Sequence, residues 1–377
     1  MMKRQCGGAA KKAGPGGARF FKAMRIGGPE LPCVPMRNQS SLIDESPALN
    51  PTSAHRPSLM KAAVLMRPGN FEIREVTMPQ PGRNEVRVRI ESCGVCASNI
   101  PPFEGRSWFS YPFKPGALGH EACGRIDAAG CDAGREWTPG QRVAFLSYHS
   151  FAEYDLAHSQ AVVALPPELD DQPVLAEPIA CAMNIFRRSA IREGDTVAVV
   201  GSGFLGTLLT QLAVAQGAKV FAFSRRKEAR KLAMAYGAQQ AFPLACAATA
   251  LEQVREATAD RLCDVVVEAT GKQEPLTFSA EITRERGRLV IAGYHQDGAR
   301  QIDMQLWNWR GLDVINAHER EQDVYIRGMR DGLEALKSGR LRTDGLLTHH
   351  LRLEELDEAL ELTRTRPPGF MKAIVRP

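Results

Sequence analysis

A glycine-rich turn between an apolar run and a helical pattern constrains the fold of this chain more than any other feature. Gly201, Gly203 and Gly206 follow the apolar run 197–200 and precede a helix expected near 207–216. The first glycine permits a tight turn, the second lets a phosphate approach the backbone, and the third lets the helix pack closely on the strand. Free N–H groups at the helix start complete an anion site. The turn therefore predicts a dinucleotide-binding fold, with a mere Gly-rich turn as the weaker alternative.

The hydrophobic pattern differs between the segment before this turn and the segment that contains and follows it. From residue 195 onward, continuous apolar strands alternate with helices, which is typical of a parallel sheet covered on both faces. Strands are expected at 197–200, 220–223, 263–268, 288–292, 313–315 and 371–375, and later helices at 324–338 and 353–364. Residues 60–188 instead show short alternating runs separated by Pro and Gly, with a helix expected at 178–188. The fold class is therefore α/β: a Rossmann doubly wound parallel sheet plus a partly open β-barrel.

The end of the second strand of the dinucleotide fold bears on coenzyme choice. An NAD site usually presents Asp or Glu there, roughly 20 residues beyond the glycines, whereas this chain has Ser224, Arg225 and Arg226. A carboxylate would repel a 2′-phosphate, but a guanidinium binds one through charge-assisted hydrogen bonds. NADP(H) is therefore favoured over NAD(H). The alternative is that both arginines only begin a solvated helix.

A second motif carries metal-ligand chemistry. Cys93 and Cys96 form a Cys-x-x-Cys pair, which by itself is equally typical of a redox pair, half of a zinc knuckle, or two unrelated buried thiols. No second such pair exists among the nine cysteines, which disfavours a structural knuckle. A catalytic zinc site needs only three mixed protein ligands and an open fourth position. Cys96, His120 and one carboxylate, either Glu121 or Glu177, meet that need, and the sequence does not choose between the two.

Composition excludes several classes of protein. With 44% hydrophobic and 24% charged residues, the chain is ordinary for a globular protein of two domains. The formal charge of +5 comes from residues 1–59, which hold nine Lys/Arg against three Asp/Glu, so no basic nucleic-acid surface is expected in the body. We predict that this leader is disordered and that the chain proper begins near Met60; a transit peptide is the alternative.

Compartment follows from the apolar stretches and the cysteines. The longest uncharged stretch, 196–218, carries three glycines in its first half and reads as a strand, a turn and a helix, so no membrane span is expected. Nine irregularly spaced cysteines do not form a secreted disulfide framework, which favours the cytoplasm.

These motifs together resemble the medium-chain dehydrogenase/reductase family, in its zinc-dependent alcohol and polyol (sorbitol-like) dehydrogenase branch. The resemblance covers residues 60–377 and rests on five segments: Cys93–Asn99, Gly119–Glu121, Glu177-Pro178, Gly201–Gly206 and Lys372–Val375. It implies a GroES-like catalytic domain at 60–185, a Rossmann coenzyme domain at 186–316, and a return to the catalytic domain at 317–377. It also implies a homodimer or homotetramer acting on a small-molecule alcohol or carbonyl compound, without a nucleic-acid or membrane partner.

The resemblance assigns roles to individual residues. Cys96 and His120 would be zinc ligands, Glu177 the third ligand or a ligand through water, and Glu121 a group behind the metal. Ser98 would relay the substrate proton. The coenzyme would contact Gly201, Gly203, Phe204, Leu205, Gly206, Ser224, Arg225, Arg226, Thr270, Tyr294 and, through its pyrophosphate, Lys372. One catalytic zinc is expected without a structural zinc, because residues 140–143 run almost directly into 151–154 with no four-cysteine lobe between them.

Departures from the family pattern leave open questions about the site. Asn99 replaces the usual Asp, so support for His120 would be neutral, and Pro101 replaces a histidine that finishes the proton relay in some relatives. A zinc-free quinone or enone reductase and a non-catalytic NADPH-binding protein are the alternative functions. A substrate pocket could be lined by aromatic and histidine side chains, and the candidates are Trp108, Phe109, Tyr111, Tyr294, His295, Trp307 and Trp309. If extended, Trp307 and Trp309 would share one face.

Overall fold

The computed structural model describes residues 58–170 and 172–377. The disordered leader expected at 1–59 therefore lies outside the described residues, except for its last two. Within the described residues, the first regular element begins at Leu59.

Strands and helices are numbered in chain order. The strands are β1 (Leu59–Arg67), β2 (Asn70–Thr77), β3 (Glu85–Gly94), β4 (Glu121–Ala129), β5 (Arg142–Phe145), β6 (Tyr154–His158), β7 (Val162–Ala164), β8 (Thr196–Val200), β9 (Lys219–Ser224), β10 (Gln240–Pro243), β11 (Cys263–Glu268), β12 (Thr283–Ile291), β13 (Asp313–Asn316), β14 (His349–Arg352) and β15 (Ala373–Arg376). The α-helices are α1 (Ile100–Phe103), α2 (Ala176–Ser189), α3 (Phe204–Ala215), α4 (Lys227–Ala235), α5 (Ala247–Thr258), α6 (Gln273–Glu281), α7 (Met304–Arg310), α8 (Gln322–Lys337) and α9 (Leu356–Thr365).

A six-stranded parallel sheet runs in the order β10-β9-β8-β11-β12-β13. Its central strand shows why both faces are covered: Val197 and Val199 enter one apolar cluster, while Ala198 and Val200 enter another. Alternating side chains point to opposite faces of a strand, so a continuous apolar run requires a layer of helices on each side. The strand order is that of a doubly wound fold, which confirms the predicted Rossmann sheet. In such folds ligands bind beyond the carboxyl ends of the strands where the strand order reverses, which here is between β8 and β11.

A second, mainly antiparallel sheet has the order β14-β15-β3-β4-β5-β7, with β6 also paired to β3. Its interior is packed with side chains such as Val88, Ile126, Phe145 and Phe151, all at most 2% exposed. The β1–β2 hairpin packs beside it, with an isolated bridge between Ala62 and Ala152. This is the partly open barrel that the alternating runs predicted.

The last strand places the chain end beside the first metal motif. β15 pairs antiparallel with β3, with Ile374 opposite Gly94 and Val375 opposite Cys93. Beyond the strand end, the Val95 N–H donates to the Ala373 carbonyl at 3.0 Å. Residues that lie far apart in the sequence therefore form one edge of the site.

Two details differ from the sequence expectations. Trp307 and Trp309 are not on an extended segment but on α7, so they lie about 200° apart around the helix and do not share a face. The Asp303 side chain accepts from the Leu306 N–H and caps this helix, a signal that could have indicated it. The second difference is that α3 begins at Phe204, three residues earlier than expected, directly after Gly203. No helix among the described residues is long and apolar enough to cross a membrane.

Candidate metal and coenzyme site

The metal motif lies where β3 ends and β4 begins. Gly94 and Glu121 are opposite each other in the β3–β4 ladder, so Cys96, just after β3, and His120, just before β4, meet at the same end of the sheet. Ligand atoms of Cys96, His120 and Glu121 all lie within 4.8 Å of one another. A side chain at position 94 would place its Cβ 2.0 Å from Glu121 Oε2, so any residue other than glycine would displace this buried carboxylate. The structure thus brings together three of the four predicted ligands as a compact donor set.

The backbone carbonyl of Leu118 orients His120. The ring Nδ1 lies 2.8 Å from the Leu118 carbonyl, which fixes Nδ1–H as the donor and leaves Nε2 as the ligating nitrogen. Leu118 has φ of 77°, a left-handed conformation that is uncommon for a residue with a bulky side chain. This conformation points the Leu118 carbonyl toward the His120 ring. Sequence reasoning missed Leu118, because nothing in its residue type signals the conformation.

Asn99 supports His120 through that same carbonyl rather than by direct contact. Its Nδ2 donates to the Leu118 oxygen at 3.0 Å, and its Oδ1 accepts from the Cys96 N–H at 3.1 Å. Asn99 therefore supports His120 indirectly, through the Leu118 carbonyl, and with a neutral group. An Asp could not make the first of these bonds, because an ionised carboxylate has no proton to donate.

Glu177 enters the site from the first turn of α2. Its Oε1 accepts from the Cys181 thiol at 3.4 Å, and the Cys181 sulfur lies 3.8 Å from the Tyr325 hydroxyl. Among the described residues, the set with mutual distances under 4.8 Å does not include Glu177, although its charge acts on His120 more strongly than that of Glu121. Cys181 and Tyr325 were not among the predicted site residues.

The negative groups of this donor set favour a bound cation. Burial disfavours a charged imidazole, but the hydrogen bond and charge of Cys96, followed by the charges of Glu177 and Glu121, raise the pKa of His120 to about 10. Burial also raises the pKa of Glu177. Thiolate, imidazole and carboxylate are the ligands that catalytic zinc sites combine. The residues present therefore fit a zinc ion.

Lys372 is committed to an ion pair that the sequence did not predict. Its Nζ lies 2.7 Å from Glu121 Oε1 and 2.6 Å from Oε2, with both side chains almost fully buried. The ammonium also lies 5.2 Å from the centre of the Phe204 ring, at the start of α3. Lys372 thus joins the metal motif to the glycine-rich turn, and its contact with a coenzyme pyrophosphate stays a prediction.

The glycine-rich turn has the geometry that a dinucleotide needs. Gly201 has φ of 110°, and a Cβ on Gly206 would lie 1.8 Å from the Gly201 carbonyl oxygen. In contrast, a Cβ on Gly203 would meet nothing within 4 Å. This open space faces the N-terminal turn of α3, which Phe204 and Leu205 begin. The chain therefore fits a pyrophosphate at this turn.

The two arginines after β9 have different surroundings. Arg226 donates through its guanidinium to the Phe370 carbonyl and lies 3.5 Å from Met371 Sδ, and its backbone N–H donates to Ser224 Oγ at 3.2 Å. The Arg225 side chain is exposed and has no bonding partner within the described ranges. Of the predicted pair, Arg225 is the guanidinium that remains available.

The remaining predicted residues lie at the ends of β11 and β12. Thr270 donates its N–H to Glu268 at 2.6 Å, and the exposed Tyr294 ring stacks on His318 with centroids 5.6 Å apart. The Tyr148 ring lies 5.9 Å from the His120 ring, and sequence reasoning missed this residue. The predicted pocket aromatic Trp309 is 84% exposed.

Comparison with known proteins identifies the family. The model for the alcohol dehydrogenase GroES-like domain matches residues 82–167, and the model for zinc-binding dehydrogenase matches residues 205–329, together more than half of the chain. The chain belongs to the zinc-type medium-chain dehydrogenases. Its place within them is the sorbitol-dehydrogenase-like branch, and it is an oxidoreductase.

Individual relatives of this zinc-type dehydrogenase span nearly its whole described length. D-arabinitol dehydrogenase 1 of Uromyces fabae is 27% identical over 357 residues, which cover 85% of this chain and 98% of the relative. Sorbitol dehydrogenase of Halalkalibacterium halodurans is 24% identical, with 77% and 92% covered. A Sinorhizobium meliloti protein classed as a zinc-binding dehydrogenase and bound to NADP is 27% identical, with a TM-score of 0.73 and 85% and 100% covered.

Proposed function

We propose that this zinc-type dehydrogenase transfers a hydride between the carbinol carbon of a polyol or related alcohol and the nicotinamide of NADP. The alcohol loses a hydride and a proton and becomes a ketone or aldehyde, while NADP⁺ becomes NADPH. One observation carries the proposal: Lys372 contacts both the Glu121 carboxylate of the metal motif and the Phe204 ring of the dinucleotide turn, so the two sites adjoin. The polyol relatives support the substrate class.

Cys96, His120 and Glu177 would hold a single zinc. Glu177 is favoured over Glu121 as the third ligand because the Glu121 charge is already balanced by Lys372, whereas within the described residues the Glu177 carboxylate accepts only from the Cys181 thiol. When bound, zinc supplies Lewis acidity that makes an alcohol proton easier to remove. A second, structural zinc is not proposed, since β5 and β6 are joined by only eight residues.

Ser98 would relay the hydroxyl proton, accepting it while its own hydroxyl proton passes on. It lies on the short turn 97–99 directly after Cys96 and is half-buried, so its hydroxyl is screened from bulk water without being sealed from the cleft. Pro101, the second residue of α1, has no ionisable group to continue a relay. The proton would therefore leave through water, the coenzyme ribose or another group.

Arg225 supports NADP as the coenzyme. Its exposed guanidinium follows β9, the strand whose end holds the adenosine ribose in dinucleotide folds, and no carboxylate replaces it there. A 2′-phosphate would gain a charge-assisted hydrogen bond at this position, which NAD cannot make.

The wider organisation is proposed from the same resemblance. A catalytic domain at 60–185 and 317–377 would flank a coenzyme domain at 186–316, and the pairing of β15 with β3 supports this discontinuous arrangement. We also propose a homodimer or homotetramer, located in the cytoplasm, with no nucleic-acid or membrane partner.

The test is a spectrophotometric screen of alcohols, polyols and carbonyl compounds with NAD and NADP, on protein of measured zinc content. We expect about one zinc per chain, turnover of at least one polyol, and loss of both in Cys96→Ala and His120→Ala. Full activity of either variant would overturn the proposal. Glu177→Gln and Glu121→Gln form a matched pair: loss of zinc only in Glu177→Gln supports the ligand set, and loss only in Glu121→Gln refutes it.

A further inference from the structure

One side chain of the parallel-sheet half reaches directly onto the metal motif. Gln296, in the loop between β12 and α7, donates from Nε2 to the Ala97 carbonyl at 2.9 Å, across 199 positions of sequence. Ala97 lies between Cys96 and Ser98, and its carbonyl also accepts the Ile100 N–H that closes the turn 97–99. The Gln296 amide therefore holds the turn that carries both a predicted zinc ligand and the predicted proton acceptor.

The loop that presents Gln296 is fixed by a buried polar chain. The fully buried Glu268 carboxylate lies 3.0 Å from His295 Nε2, and Arg300 Nε donates to His295 Nδ1 at 2.8 Å. Since Nδ1 accepts, Nε2 carries the proton and donates to Glu268. Arg300 also donates to the Gly271 carbonyl at 2.7 Å. Gln296 thus extends from a loop with little freedom to swing.

The same chain of contacts borders the coenzyme crevice. Glu268 ends β11, the strand beside the switch point of the doubly wound sheet, and accepts from the N–H groups of Thr270 and Gly271. A Cβ on Gly293 would lie 2.2 Å from the Gly271 nitrogen, so the loops after β11 and β12 are packed backbone to backbone. A dinucleotide in this crevice would lie against a unit that ends at Gln296.

We propose that Gln296 is a positioning residue that couples coenzyme occupancy to the turn bearing Cys96 and Ser98. Coenzyme binding stiffens the loops after β11 and β12, and the Gln296–Ala97 hydrogen bond passes that restraint to the turn. The inference rests on the proposed function for its catalytic consequence. The restraint on the turn does not depend on the proposed function, because it is measurable without turnover.

Hydrogen exchange of the turn is the first measurement. NADPH is expected to slow exchange of a peptide covering 96–103 in the wild type, and in Gln296→Leu and Gln296→Glu that slowing disappears although NADPH still binds. Gln296→Glu keeps the side-chain shape but has no proton to donate. Gln301→Leu is the matched control, since Gln301 lies in the same loop and its side chain is exposed without a bonding partner in the described part of the chain. It should behave as the wild type does.

Steady-state kinetics form the second measurement. We expect kcat in both Gln296 variants to fall about three- to tenfold, the effect of one lost hydrogen bond, with unchanged zinc content and a KM for the coenzyme within about twofold. Gln296→Lys, which can still donate, should recover part of kcat. Retained coenzyme-dependent protection in Gln296→Leu would overturn the inference even if the enzyme is active. An inactive wild type that still shows the protection would instead count against the proposed function alone.

Discussion

Lys372 and Glu121 form a buried ion pair across 251 positions of sequence, with Nζ 2.7 Å from Oε1 and exposures of only 7% and 1%. Glu121 begins β4 and Lys372 directly precedes β15; both strands pair with β3, so the sheet holds the two side chains against each other. Burial lowers the pKa of Lys372, but the charge of Glu121 and those of Cys96 and Glu177 outweigh it and raise that pKa. The lysine is thus the fixed cation of a site rich in negative groups.

Removing the lysine should leave a buried charge without its partner. We expect Lys372→Met to lower the free energy of unfolding by about 3–5 kcal/mol, the usual cost of breaking a buried pair on one side. The double variant Lys372→Met/Glu121→Gln should recover much of this loss, because no unpaired charge remains. Urea unfolding of the wild type, both single variants and the double variant measures the coupling. A loss below about 1 kcal/mol in Lys372→Met would show that the pair is not buried as described.

Two glycines of the dinucleotide turn should respond differently to alanine: one substitution should lower stability, the other only coenzyme binding. In Gly206→Ala the added Cβ would lie 1.8 Å from the Gly201 oxygen, so the turn must open and stability should fall by about 1–3 kcal/mol. Gly203 has φ of −82° and open space around it, so Gly203→Ala should keep the thermal midpoint of the wild type. Its methyl group would occupy space needed by the pyrophosphate. Thermal unfolding with and without NADPH checks both, and a destabilised Gly203→Ala without coenzyme would contradict this account.

The parallel sheet was predictable from the sequence because its strands are buried on both faces and therefore carry continuous apolar runs, as at 197–200 and 265–267. Cys96 and His120 were predictable as candidate ligands because few residue types bind zinc and because both lie beside the ends of predicted strands. Leu118 and Gln296 were not predictable. Their roles depend on a positive φ and on a contact across 199 positions, and neither leaves a mark on residue type or spacing.

Arg225 and Arg226 should separate in coenzyme binding. Arg225→Ala removes an exposed guanidinium and should weaken NADP binding about tenfold or more while leaving NAD binding unchanged. Arg226→Ala removes the donor to the Phe370 carbonyl, next to Met371 and Lys372, so both coenzymes should be affected. Fluorescence titration of each variant with NADPH and NADH measures this, with Lys227→Ala as the control. Equal loss for both coenzymes in Arg225→Ala would refute the NADP assignment.

Asn99 should control metal affinity without touching the metal ligand His120. Asn99→Ala removes the bonds to the Leu118 carbonyl and the Cys96 N–H, and zinc affinity should fall about 10- to 100-fold. Asn99→Asp restores the usual family residue, yet it should also weaken zinc binding, because a carboxylate faces the Leu118 oxygen and cannot donate to it. Competition with a chelator gives the affinities, and the exposed Asn84→Ala serves as control. Tighter zinc binding in Asn99→Asp would mean that an anionic group near His120 matters more than the Leu118 contact.

Asp264 should give the fold a pH-dependent share of its stability. Its carboxylate joins three strands by accepting from the Thr196 N–H at 2.8 Å and from Arg284 Nε at 2.6 Å. Burial alone would raise the pKa of Asp264, but these two donors and the Arg284 charge lower it below the ordinary value.

A folded-state pKa below the unfolded value of about 3.9 stabilises the fold above that pH, and the stabilisation is lost as pH falls toward the folded value. Asp264→Asn should therefore cost about 1–2 kcal/mol at neutral pH and progressively less below about pH 4. Urea unfolding from neutral pH to below about pH 4 measures the difference in free energy of unfolding between Asp264→Asn and the wild type. Asp260→Asn, at an exposed position, is the matched control. A cost that stays constant down to acid pH would show that the Asp264 contacts stabilise by shape rather than by charge.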